Sequence, residues 1–270
     1  MRPRTVGHIA LNVFRESVRD KVLYNLVFFA ILLIATSYLL GQLTAGQDIK
    51  IVKDLGLAAM SLFGLFISVF IGIGLVSKEV ERRSIYSVLS KPISRQAFIV
   101  GKYAGLVLTL LVNIAVMTAA YYAVLGCMAW VAGGWFLPGW DAPALDPRLL
   151  QAIAMIFLQL MIVIALALLF STFSSPMLSA ALTFGLYVIG HFNADLRNFE
   201  TVAASTSLVY GARLLYYALP NLAPFDIKAQ VVHGQTVQAG FLLLNVGYAI
   251  VYIGVLLVGA MFIFRRRDFK

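Results

Sequence analysis

Five stretches of this chain hold no aspartate, glutamate, lysine or arginine: residues 22–47, 55–77, 103–140, 149–194 and 229–264. Nothing else in the sequence constrains the fold as strongly. A helix that crosses a bilayer needs about 20 predominantly apolar residues, and each stretch is longer than that. Lipid gives exposed backbone N–H and C=O groups no partner, so such stretches must be helical or close into a barrel. None sustains the period-2 alternation of a barrel strand. The expected fold class is therefore all-α, a polytopic membrane protein. Composition agrees: 61% of the residues are hydrophobic and 12% charged, where soluble domains carry about 25% charged. The first stretch does not read as a cleaved signal peptide. Its apolar core exceeds the usual length of about 7–15 residues, and no small-residue cleavage site follows.

Four of the stretches hold one span each, expected at 22–42, 55–76, 103–130 and 238–264. The stretch 149–194 is long enough for two. Its centre reads Ser171-Thr172-Phe173-Ser174-Ser175-Pro176, and proline after a run of hydroxyl residues marks a turn. Spans at 149–170 and 177–194 follow, six in all, which places both termini on one side. The N-terminal segment, the 77–102 loop and the C-terminus together hold fifteen basic and five acidic residues, and the remaining segments six and seven. A basic excess marks the cytoplasmic side. The expected location is the cytoplasmic (inner) membrane, multi-pass, with both termini in the cytoplasm.

Ahead of the first span, residues 5–21 pattern as an amphipathic helix. His8, Asn12, Arg15 and Arg19 share one face, and Val6, Ile9, Ala10, Val13 and Phe14 the other. Such a helix suits the membrane interface. Between spans two and three, residues 78–90 pattern as a short cytoplasmic helix ended by Pro92. Glu79 stands three and four residues before Arg82 and Arg83, a helical ion-pair spacing. Ile85, Val88 and Leu89 form an apolar patch beside them. A loop that only set topology would need lysine and arginine alone. Both charge signs around an apolar patch suit a docking surface. Leu208, Val209, Ala212, Leu215, Tyr216 and Leu219 form a helical stripe, read as a helix over 205–219 at the outer leaflet.

Glu79-x-x-x-Arg83-Ser84-Ile85, then Leu89-Ser90-Lys91-Pro92-Ile93-Ser94-Arg95 and Gly101-Lys102, resembles the permease subunits of type-2 ATP-binding-cassette transporters. The resemblance extends over essentially the whole chain, and size and layout look closest to permeases that serve multicopper-enzyme maturation. It implies a single transmembrane permease domain over 1–270, and a coupling helix at 78–90 that docks on a separate ATPase through Glu79, Arg82, Arg83, Ile85, Val88 and Leu89. It also implies gate helices between the last two spans. The partners it implies are that ATPase, which carries the ATP and magnesium, a second permease copy (identical or homologous) and membrane lipid, with no nucleic acid.

No Gly-x-x-x-x-Gly-Lys-Ser/Thr sequence occurs, so the chain does not read as a nucleotide-binding or catalytic subunit. His8, His191 and His233 are scattered and Cys127 stands alone, so neither a metal site nor an intrachain disulfide is expected. The expected cofactor content of this chain is none. An ion-coupled carrier usually needs charged residues at membrane depth, which the six spans lack. That carrier, or an assembly factor for periplasmic enzymes, stands as the alternative. Asn113, Gln159 and Asn245 are the amides well inside the spans, expected to bond between helices. Gly64, Ser68 and Gly72 step by four along span two, and Gly240, Gly247 and Gly254 by seven along span six. Small stripes let backbones approach closely; tight internal packing is the expected reason for both, with a dimer interface as an addition to it.

Overall fold

The computed structural model describes residues 3–42, 48–81, 95–131, 145–192 and 219–266. The described residues form helices α1 (Pro3–Val18), α2 (Lys21–Gln42), α3 (Asp48–Glu81), α4 (Arg95–Val131), α5 (Arg148–Ser171) and α6 (Pro176–His191). A 3₁₀ turn (Ala223–Phe225), a short α7 (Lys228–Val232) and α8 (Ala239–Arg266) follow. Five of them, α2, α3, α4, α5 and α8, are long and apolar enough to cross a membrane. The apolar windows of α3 and α5 are 67% buried against 22% for α2 and α8, so α3 and α5 form the centre of the bundle. Several helices overrun the charge-free stretches. α3 begins at Asp48 and α4 at Arg95.

α1 and α2 are separate because Asp20 interrupts them. Its carboxylate Oδ1 accepts the Val22 N–H at 3.0 Å and starts α2 afresh. The apolar face of α1 packs on the first turns of α4. A side chain at Gly101 would meet Ile9 Cβ at 2.8 Å, and one at Gly105 would meet the Ala10 carbonyl oxygen at 2.6 Å. The helix expected at the membrane surface therefore has a protein partner for that face. The two glycines allow it, since only their missing side chains let the helices approach so closely.

α5 and α6 are joined by the turn 172–175. The Ser174 N–H and hydroxyl both reach the Phe170 carbonyl at 2.9 Å, Ser175 is extended, and Pro176 takes the first helical turn. α6 has 16 residues, about 24 Å long at 1.5 Å per residue, short of a hydrocarbon core of about 30 Å. It is a shorter apolar helix than the five candidate spans. The segment 219–234 closes over its end. Leu222 N–H donates to the Gly190 carbonyl at 2.9 Å, satisfying a helix-end acceptor that lipid could not. Leu222, Phe225, Ile227, Val231 and Val232 of this returning segment are buried. Gly234, with φ 72°, adopts the left-handed conformation that ends α7.

Both described chain ends meet at one end of the bundle. There the Phe98 ring of α4 stacks on Phe264 of α8, centroids 5.8 Å apart, with the Lys102 ammonium 4.7 Å from the Phe98 centroid.

Candidate functional site

The residues expected to dock, 78–90, begin in the last turns of α3 and continue toward α4. α3 carries Glu79 in its last turn and stops at Glu81, and α4 starts at Arg95. Arg82, Arg83, Ile85, Val88 and Leu89 lie outside the described residues. What is described is the packing of the two helices on either side of residues 82–94. α3 packs on α5 through its small stripe: a side chain at Gly64 would meet Leu160 Cδ1 at 2.4 Å, and one at Gly72 would meet Ala167 Cβ at 3.0 Å. Ser68, between them, is buried, and its hydroxyl has no hydrogen-bond partner among the described residues. α4 is clasped by α1 at Gly101 and Gly105 and by Phe264 at Phe98. The helices on either side of residues 82–94 are thus each packed against neighbours.

Gly240, Gly247 and Gly254 behave differently. An added side chain at any of them meets nothing within 4 Å, and α8 is exposed around them at Leu243, Leu244, Ile250, Val251 and Val255. Internal packing, the reason expected for this stripe, does not account for it among the described residues. α8 lies at the bundle's edge and turns that side outward.

At the opposite end, a polar cluster ties α3, α4 and α5 together. The Tyr121 hydroxyl donates to the Lys53 carbonyl at 3.0 Å, and the Tyr122 hydroxyl to the Asp146 carbonyl at 3.1 Å. Asp146 Oδ1 accepts the Arg148 N–H at 2.9 Å, and the Arg148 guanidinium donates to the Gly234 carbonyl of the returning segment. Lys53 and Asp146 are 1% and 3% exposed, so these charges are part of the interior. Gly56 leaves room for the Tyr121 ring, whose Cε2 lies 2.2 Å from where a side chain would begin. The spans expected from the sequence, 55–76 and 149–170 among them, left Lys53 and Asp146 just outside. The signal missed is the tyrosine pair one helix away. The stripe expected over 205–219 lies outside the described residues apart from Leu219.

Of the three intramembrane amides, two bond within their own helices. Asn113 donates to the Thr109 carbonyl at 2.6 Å and Asn245 to the Phe241 carbonyl at 3.0 Å. Gln159 alone bonds across helices, to His191 Nε2 at 2.8 Å. The scattered histidines concealed this pairing. It forms because the 172–175 turn folds α6 back along α5.

A family model described as ABC-2 family transporter protein matches residues 8–269. No match was found among curated proteins.

Proposed function

The chain belongs to the ABC-2 family of transporter proteins, and from that premise we propose that it is the membrane-spanning permease of an exporter powered by separate ATPase subunits. It is a multi-pass membrane protein of an ABC transporter system. The observation that carries the finer reading is the family match along 8–269, together with the packed helices on either side of residues 82–94. In this reading α6 is a sixth, short span, and the basic end of the bundle faces the cytoplasm. Residues 78–90 form the coupling helix, and Glu79, Arg82, Arg83, Ile85, Val88 and Leu89 meet the ATPase. Two permease copies, or this chain with a homologous one, bind two ATPases. Closure of the ATPase pair on ATP moves the docked helices, and α3 and α4 carry that motion into the bundle as rigid bodies. ATP and magnesium belong to the partner, and this chain supplies the path.

The test is biochemical. The chain purified without partners is expected to hydrolyse no ATP, and the chain purified gently from its native membrane to bring an ATP-binding-cassette ATPase with it. Hydrolysis by a preparation shown by mass spectrometry to hold no ATPase subunit would overturn the assignment.

A further inference from the structure

No charged residue occurs between Arg148 and Asp195, and the turn 172–175 that joins α5 to α6 lies in the middle of that stretch. α5 ends beside the later turns of α3 and α8. A side chain at Gly72 would meet Ala167 Cβ at 3.0 Å, and one at Gly259 would meet Leu169 Cδ1 at 3.6 Å. The turn is therefore at the end of the bundle where Phe264 of α8 stacks on Phe98 of α4. The helices at this end carry Arg15, Arg19, Lys21, Lys102 and Arg265. The turn carries no charge. It shows instead three apolar side chains, Phe173, Met177 and Leu178, which are 48%, 86% and 51% exposed. Exposed apolar side chains set together mark a contact surface.

The polar groups of the turn are directed inward. The Ser171 and Thr172 hydroxyls donate to the Leu168 and Leu169 carbonyls at 2.7 and 2.6 Å. The Ser174 hydroxyl reaches the Phe170 carbonyl and stands 2.6 Å from the buried Ser179 hydroxyl. The N–H groups of Thr172, Phe173 and Ser174 donate to carbonyls of the last turn of α5. Pro176 brings no N–H to the start of α6. These groups are satisfied without water, which is the condition lipid imposes. A water-facing loop at the basic end of a membrane bundle ordinarily carries lysine or arginine, and a surface made for a soluble partner stands in water while undocked. The turn has the chemistry of neither. Helix length agrees with lipid. α5, with 24 residues, is about 36 Å long, roughly 6 Å more than a hydrocarbon core. The surplus can lie at the far end, where Arg148 joins the polar cluster, so the turn need not emerge into water.

We propose that the turn between α5 and α6 is a membrane contact: Phe173, Met177 and Leu178 sit among the acyl chains of the leaflet at this end, and lipid covers them. The α5–α6 hairpin is then held by the bilayer at its turn and by the returning segment at the far end of α6, where the Leu222 N–H closes on Gly190. The inference rests on α5 crossing the membrane and not on any partner ATPase.

A nitroxide label at Met177→Cys, in a Cys127→Ala background on the full chain in phosphatidylcholine nanodiscs, tests it. Arg19→Cys, at an exposed position of the same end, carries the reference label. The label at 177 is expected to be relaxed by molecular oxygen, which concentrates among acyl chains. It is expected to lose the relaxation by a water-soluble nickel chelate that the label at 19 shows. Nickel relaxation at 177 equal to that at 19 would overturn the proposal. A label that nickel reaches in the chain alone, and that becomes shielded when a co-purified ATPase is added, would make the patch a protein-docking surface and overturn it too. Shielding from oxygen and nickel alike would put another protein surface on the turn, with the same result. Phe173→Cys carries the same expectation and decides alone should the Met177→Cys chain not fold.

Discussion

At the scale of single residues, charge and missing volume make separable predictions. Reversing Glu79 to Lys or Arg83 to Glu sets like charges against the proposed ATPase groove. Truncating one member of a buried charge pair costs about 2–5 kcal/mol, and reversal is expected to cost at least as much. Membrane abundance should be normal and ATPase co-purification lost, whereas Arg265→Glu, at the end of α8, should be milder. Full co-purification with both reversals would reduce the loop to a connector. The glycines separate in a second way. Gly64→Val drives a side chain into Leu160, and overpacking of this kind costs about 1–3 kcal/mol. Gly247→Ala enters open space and should leave the thermal midpoint of the isolated chain unmoved. If Gly247→Ala instead breaks up an oligomer on size-exclusion chromatography, the α8 face is a contact between chains. Sequence spacing made the two stripes look equivalent. Four-residue and seven-residue steps both keep to one side of a helix, but neither says which side the neighbours occupy, and only the peripheral position of α8 distinguishes them.

At the scale of elements, the charge-free stretches made five helices legible, and proline at 176 made the turn between α5 and α6 legible as well. They could not reveal that α6 stops short, because the charge-free stretch runs on to Ala194 while the helix ends at His191. Nor could they reveal the joint above it, which depends on a glycine and a leucine 32 positions apart, Gly190 and Leu222. Gly190→Val is expected to push residues 220–222 away and leave the α6 carbonyl without its donor. An unsatisfied buried polar group costs about 1–3 kcal/mol, so the thermal midpoint should fall and exchange at Leu222 should rise. Retention of wild-type protection at Leu222 would show that the joint tolerates a side chain. The docking surface was readable only as a pattern of charges and apolar residues over 78–90.

At the scale of the whole molecule, the two ends of the bundle have different characters. One end gathers α1, both described chain ends and the start of α4. The other gathers the buried Lys53–Asp146 cluster and the returning segment. With Cys127 replaced by Ala, cysteines placed at Trp140 and Gln230 are expected to react with an impermeant thiol reagent on intact cells, and one at Lys91 only after permeabilisation. Labelling at position 91 in intact cells would invert the orientation. The clasp of α1 on α4 also has a consequence in time. The groove for Ile9 and Val13 is lined by Gly101 and Gly105, which leave the ribosome some 90 residues later. At synthesis rates of about 5–20 residues per second, that is a wait of roughly 5–18 s. Through that interval the apolar face of α1 has no groove to enter, and the bilayer surface is its available shelter. The amphipathic pattern read from the sequence thus describes where the helix waits, and the two glycines describe where it finishes.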